Sequence, residues 1–234
     1  MRPTLLQYVS GWAPLLPLLA GAASGAMRRR GQWWIMVWCF LVLLLNIAAL
    51  LLGKRGSNNL WLLYVGDPLM TTALLWALAH WHPIHTARVA LKAAIPLVLM
   101  VSVGLTLAFD DRHSFSLVVA PFHAILMLLA VLWTFIALGM RADHGSLARE
   151  DWFWIVGGVM LYVATATAMQ PLAWYLIRER VDLLHAAFNL RAAIVLLSFG
   201  AITWGMLRGR KYSGGYSLPP SSPSSFSSPA SPLP

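Results

Sequence analysis

The sequence predicts an all-α, polytopic transmembrane bundle of seven helices. Three observations support this fold class. Hydrophobic residues occupy 59% of the 234 positions and charged residues only 11%, whereas a soluble domain carries about 25% charged residues. The apolar residues gather in seven runs of about 20 residues, the length that crosses a bilayer at a rise of about 1.5 Å per residue. Charged residues cluster between these runs.

The seven runs are separated by charged boundaries, the clearest being 28–30, 54–55, 110–112 and 178–180. The fourth run holds Lys92 in its first turn, from which a lysine side chain can extend to the headgroups. In chain order, the predicted segments are 9–27, 33–52, 60–79, 89–109, 115–139, 152–175 and 183–207.

The first segment has two interpretations. Arg2, an apolar run and the small residues 21–26 form the pattern of a cleaved signal peptide. Three arginines, at 28–30, follow at once, and such a cluster resists translocation. The charge pattern therefore favours a retained helix, with the cleaved signal as the alternative.

Lysines and arginines also predict the orientation. With the N-terminus outside, the inner loops and segment ends hold ten of the 17 basic residues, the outer ones hold six, and Arg191 lies within a segment. Because basic residues concentrate on the cytoplasmic side, the sequence predicts an N-out/C-in topology. The net charge of +9 then serves orientation and contact with anionic headgroups, so the lipid bilayer is the expected partner and nucleic acid is not.

The composition divides the chain into two parts. Residues 1–211 form the predicted transmembrane domain, whereas residues 212–234 are mainly glycine, serine and proline. A segment with so few large apolar groups cannot bury enough surface to fold. Residues 212–234 are therefore predicted to be a disordered cytoplasmic tail.

Six polar residues inside the predicted segments form the candidate site, because polar groups in hydrocarbon are costly and usually functional. Counted from the outer end of each segment at about 1.5 Å per residue, all six lie about 8–12 Å deep. They come from five segments and predict a shared polar cluster, for ligand binding or for packing: Asn46, Asp67, His123, Gln170, Asn189 and Arg191.

Asp67 and Arg191 are the predicted electrostatic centre of this cluster. A carboxylate–guanidinium pair would remove most of the cost of two isolated charges in the membrane. Such a pair would take part in ligand binding, or would only hold the third segment against the seventh. The spacing opposes one meeting point for all six residues, since Arg191 lies about 200° around its helix from Asn189.

The histidines and the absence of certain residues bear on cofactors. His123 is predicted to be a hydrogen-bonded packing residue rather than a ligand or proton relay. His80, His82 and His85 are predicted to form a polar interfacial loop rather than a metal site. Residues 183–207 contain no lysine for a retinal Schiff base, and one deep histidine does not supply paired haem ligands. The cofactor is therefore unknown, with no metal expected.

Several short motifs resemble those of uncharacterised bacterial seven-helix integral membrane proteins. They are Asn58-Asn59-Leu60-Trp61 in the third segment, Phe153-Trp154-Ile155 with Gly158 and Leu161-Tyr162 in the sixth, and His185 with Asn189 in the seventh. The likeness covers the second half of the chain. It implies a location in a bacterial inner membrane and provides no activity to transfer.

Three functions stand as alternatives. The leading hypothesis is a receptor-like protein that binds a small molecule at the polar cluster. The second is an accessory or structural subunit of a membrane complex, for which the cluster only joins helices. The third is a lipid-modifying enzyme with Asp67 as catalytic acid or base. Residues 65–69 resemble the glycine–aspartate motif of the lysoplasmalogenase family, but no second acidic residue within a segment accompanies them.

Overall fold

In the part of the chain that the structure describes, seven helical units are each long and apolar enough to cross a bilayer, and they form the bundle. The computed structural model describes residues 4–56, 59–109, 116, 118–142 and 147–212, with the backbone alone at 181–182 and 209–212. No strand occurs in these ranges. The helices are α1 (Leu5–Trp12), α2 (Leu15–Ser24), α3 (Arg30–Lys54), α4 (Trp61–Trp81), α5 (His85–Phe109), α6 (Val119–Gly139), α7 (Asp151–Glu179) and α8 (Val181–Tyr212), with single 3-10 turns at Ala26–Arg28 and Leu147–Arg149.

The lengths and the surface of these helices match a lipid environment. The spanning units contain between 20 and 29 residues, with α1 and α2 together forming the first. Large apolar side chains cover their outer surface, and on α5 Met100, Leu107 and Phe109 are 66%, 71% and 70% exposed. A soluble protein rarely exposes such a continuous apolar surface, whereas lipid solvates it. The chain is therefore a multi-pass integral membrane protein, as predicted.

The first span is broken, which corrects the single predicted helix over 9–27. Pro14 has no backbone N–H and cannot continue the hydrogen-bond ladder, so α1 ends before it and α2 starts after it. The N–H groups of Ala13 and Leu16 donate instead to Ser10 O and Ala13 O, at 3.2 and 3.1 Å. At its far end α2 stops at Gly25, which has the left-handed φ of 71° that favours glycine.

The other predicted boundaries differ from the structure by up to five residues. Most helices extend further than their apolar runs, since a spanning helix continues into the headgroup region where polar residues are tolerated. α6 is the exception, because it begins at Val119, four residues after the predicted start. α8 continues to Tyr212, so the predicted tail loses its first residue. The rest of that tail, 213–234, lies outside the described residues.

The two ends of the bundle need names that do not depend on orientation, because N-out/C-in stays a prediction. We call the end where α1, α4, α6 and α8 begin the N-terminal face, and the opposite end the C-terminal face. The C-terminal face is held by a polar network around Asp151. Its carboxylate accepts a hydrogen bond from Gln32 Nε2 at 2.9 Å and lies 3.8 Å from Arg29 Nη1.

Helices α7 and α8 pack with their backbones in contact. A Cβ atom added at Gly158 would lie 2.6 Å from the carbonyl oxygen of Ser198, and one at Gly205 would lie 2.8 Å from that of Asp151. Small residues at such crossings allow the close approach that stabilises helix pairs in membranes. Next to α7, α3 adds Trp38, which lies edge-on to Tyr162 with ring centroids 5.2 Å apart. These contacts fix the three helices that carry most of the site.

Candidate functional site

A cavity of about 360 Å³ lies between α3, α4, α6, α7 and α8, and we call it the Asp67 cavity. Its wall extends from Asp67 and Met127 within the bundle to Asn59 and Ile177 near the N-terminal face. Most of the wall is apolar, and its polar side chains are Asn46, Asn59, Asp67, Tyr162, Gln170 and Arg191. A largely apolar cavity with a few polar groups is typical of small-molecule sites, which measure about 300–1,000 Å³.

Four of the six predicted cluster residues line this cavity: Asn46 on α3, Asp67 on α4, Gln170 on α7 and Arg191 on α8. Two of them directly precede a proline inside their helix, Pro68 after Asp67 and Pro171 after Gln170. A helical proline removes a backbone hydrogen bond and opens the ladder locally. Each proline therefore removes one backbone donor beside a polar wall residue, within a helix that continues past it.

A second cavity of about 350 Å³ adjoins the first, and we call it the α1 cavity because Gln7, Ser10 and Gly11 of α1 line it. The two cavities share a wall that includes Asn46 and Arg191. The polar space in the N-terminal half of the bundle therefore extends from α1 to Asp67, and Arg191 lies where its two parts meet.

The predicted contact between Asp67 and Arg191 does not form. Asp67 is 8% exposed, and its carboxylate accepts no hydrogen bond from any other described residue. Within 4.0 Å, the described residues form a single ion pair, Arg29 with Asp151 at the C-terminal face. Asp67 and Arg191, an acidic and a basic residue, therefore lie on one cavity wall without touching each other.

Asn189 faces α1 rather than the Asp67 cavity. Its Oδ1 accepts hydrogen bonds from Thr4 Oγ1 at 2.7 Å and from Gln7 Nε2 at 3.1 Å. Asn46 anchors the same short helix from α3, since its Nδ2 donates to Gly11 O at 3.1 Å. The angle of about 200° between positions 189 and 191 explains why Arg191 reaches the cavity while Asn189 cannot.

His123 lies outside both cavity walls, fully buried where α4, α5 and α6 meet. Its Nδ1 lies 2.9 Å from Thr71 Oγ1 and its Nε2 lies 2.8 Å from Ser102 Oγ. The two hydroxyl oxygens also lie 2.7 and 2.6 Å from a carbonyl oxygen one turn earlier, Asp67 O and Val98 O respectively. The ring is thus a hydrogen-bonded connection between three helices.

No protein-family model, curated protein or solved structure matches this chain. The resemblance to bacterial seven-helix proteins and the bacterial inner-membrane location stay predictions. The function therefore has to be inferred from the geometry of the cavities.

Tyr162 and Asn59 line the Asp67 cavity but are not among the six residues of the predicted cluster, although each belongs to one of the short motifs in the sequence. Tyr162, Ala166 and Gln170 all line the Asp67 cavity, and residues four apart share one face of a helix. Because Tyr162 lies eight residues before Gln170, this spacing alone could have predicted that both side chains face the same cavity. Asn59 lies in the connection before α4. Helical periodicity does not predict where a side chain in a connection points.

The histidines near the C-terminal face are directed to separate partners. His80 Nδ1 bonds Trp76 O at 2.8 Å, whereas His82 Nδ1 accepts from the N–H of Ile84 at 3.2 Å. Burial lowers the pKa of His82 and so favours a neutral imidazole. Among the described residues, no three His, Cys, Asp or Glu side chains are grouped to hold a metal ion.

Proposed function

We propose that this protein binds a small molecule in the Asp67 cavity, in the manner of a receptor or binding protein. The observation that supports this function is that an acidic and a basic residue, Asp67 and Arg191, share one cavity wall without contact. A charged side chain at the centre of a membrane helix costs about 2.5–3.5 kcal/mol on insertion scales. Direct pairing would offset much of that cost, so their separation favours a site that a ligand completes.

Most of the residues that join helices differ from those that face the cavity. Asn46 does both, since it lines the cavity and also donates to Gly11 O. His123 and Asn189 form hydrogen bonds between helices. Such bonds are all that a purely structural cluster, as in an accessory subunit, would require. Asp67, Gln170 and Arg191 make no such side-chain bond to another described residue. This division favours ligand binding over a purely structural cluster.

The wall of the Asp67 cavity offers little for acid–base or nucleophilic chemistry. Among its described residues, Asp67 is the one carboxylate, and no histidine, cysteine, serine or threonine accompanies it. Hydrolytic sites usually combine a nucleophile or second carboxyl group with a base. The geometry therefore favours binding over lipid modification by Asp67.

A screen of small molecules by thermal unfolding tests the proposed function. A ligand of the native state raises its stability by about 2.7 kcal/mol at a hundred times its dissociation constant. We expect active compounds to raise the unfolding temperature of the purified full-length protein and to lose this effect in Ala166→Trp, which fills the cavity wall.

The matched control is Ala168→Trp, two residues along the same helix on its exposed face. This variant should keep the response to every active compound. Compounds that stabilise both tryptophan variants equally, or a screen in which no compound stabilises the wild type, would contradict binding in this cavity.

A further inference from the structure

The chemistry of the cavity wall narrows the class of ligand, on the assumption that the proposed function is right. Two hydrogen-bond acceptors on the wall lack partners. One is the carboxylate of Asp67, and the other is Gln170 Oε1, which is buried without a hydrogen bond from any described residue. A buried acceptor left unsatisfied costs about 1–3 kcal/mol. Both acceptors would be satisfied by a ligand group that carries positive charge and N–H donors.

Arg191 requires the opposite kind of ligand group, one with negative charge and hydrogen-bond acceptors. Its guanidinium lies on the wall shared by the Asp67 and α1 cavities and bonds no other described side chain. Guanidinium groups match carboxylate and phosphate oxygens, often through two parallel hydrogen bonds. The described walls of both cavities contain no other charged side chain. The lining therefore has one acidic and one basic residue.

A ligand with a single charge would satisfy one of these groups and leave the other unpaired. The wall around both groups is largely apolar, with Met70, Met127 and Phe188 among its residues. In such surroundings a charge without a counter-charge is more costly than in water. A ligand with both charges would satisfy both groups.

We infer that the ligand is a small zwitterion, with an ammonium group at Asp67 and Gln170 and a carboxylate or phosphate at Arg191. The acceptor at Gln170 favours an ammonium that retains N–H bonds over a quaternary one, because a quaternary nitrogen has no proton to donate. An amino-acid-like solute and the headgroup of an aminophospholipid share this chemistry.

A ladder of linear ω-amino carboxylic acids tests this inference. The full-length protein, in an uncharged maltoside detergent, is titrated with acids of increasing chain length and with the alkylamine and alkanoic acid of each length. We expect one narrow range of lengths to raise the unfolding temperature, with apparent affinity about tenfold or more above both single-charge analogues. The best length then measures the separation between the two charged groups.

Variants assign each end of the ligand. Asp67→Asn should abolish the advantage of the amino acid over the alkanoic acid, and Arg191→Gln should abolish its advantage over the alkylamine. Gln170→Leu, which removes no charge, should weaken the amino acid and the alkylamine while leaving the alkanoic acid unchanged. This third variant keeps the test decisive if either charge variant fails to fold.

Two further compounds distinguish the sources of the zwitterion. Stabilisation by glycerophosphoethanolamine indicates a soluble ligand, and stabilisation by short-chain phosphatidylethanolamine alone indicates a lipid headgroup. The alkylamine or an uncharged analogue could instead stabilise the protein as much as the amino acid does, and lose this effect in Ala166→Trp. That result would overturn the zwitterion and leave the proposed function intact. The inference is also overturned if no amino acid and neither phosphoethanolamine stabilises the wild type. The separate library screen then decides the proposed function.

Discussion

Gly158→Ala is expected to lower the free energy of unfolding by about 3 kcal/mol, and Gly158→Leu to prevent the bundle from assembling. The new Cβ would lie 2.6 Å from Ser198 O and 3.1 Å from Ile202 N. Both are backbone atoms of α8 and can move away only if the helix moves. The loss is measured by equilibrium unfolding in detergent for the alanine variant and by the yield of monodisperse protein for the leucine variant.

The neighbouring glycine provides the control. A Cβ atom at Gly157 would meet only the ring of Phe135, at the ordinary contact distance of 3.7 Å. Gly157→Ala should therefore leave the stability unchanged or raise it slightly, because alanine favours a helix by about 1 kcal/mol over glycine. A loss of stability at Gly157 as large as that at Gly158 would show that α7 and α8 do not pack as described.

His123→Ala is expected to cost about 3 kcal/mol of stability while leaving ligand responses intact. The substitution removes the ring that connects Thr71 with Ser102 and leaves a void where three helices meet. Because the ring lies outside both cavity walls, compounds that stabilise the wild type should raise the unfolding temperature of the variant by the same amount. Both quantities come from one set of unfolding curves.

The matched variant for this experiment is His185→Ala. His185 is half-buried and makes no hydrogen bond with another described residue, so its loss should cost less than about 0.5 kcal/mol. An unchanged stability in His123→Ala combined with a lost ligand response would place His123 in the binding site and contradict its packing role.

Depth in the membrane could be read from the sequence, because each residue adds a fixed rise along a helix. That counting brought all six cluster residues to one level. The structure places four of them on one cavity wall, while His123 and Asn189 lie outside it. The same rise per residue identified the membrane spans, because each apolar run is long enough to cross a bilayer as a helix. The break at Pro14 followed from a residue visible in the sequence, although the prediction treated the segment as one helix.

The direction in which a side chain points could be read only relative to its own helix. The angle between positions 189 and 191 separated their roles correctly, but which neighbour each would meet depends on the order of helices around the bundle. His123 illustrates this limit, since its partners Thr71 and Ser102 come from two other helices. The predicted contact between Asp67 and Arg191 was wrong for a related reason. The energetic cost of two isolated charges favours a pair, but it does not give the distance between two residues on different helices.

The central claim is that solutes reach a cavity among helices that are otherwise surrounded by lipid. Labelling of an Ala166→Cys variant with a small cationic thiol reagent tests it most directly. The sole native cysteine, Cys39, is fully buried and gives a low background. Ala168→Cys, on the exposed face of the same helix, places its thiol in lipid where such a reagent reacts slowly.

We expect Ala166→Cys to be modified about tenfold or more faster than Ala168→Cys in lipid bilayers, because thiolates form in water and are disfavoured in hydrocarbon. We expect a stabilising compound from the library to slow the modification at position 166 alone. Equal, slow modification at both positions would show that no solute enters between these helices, and would contradict the binding site.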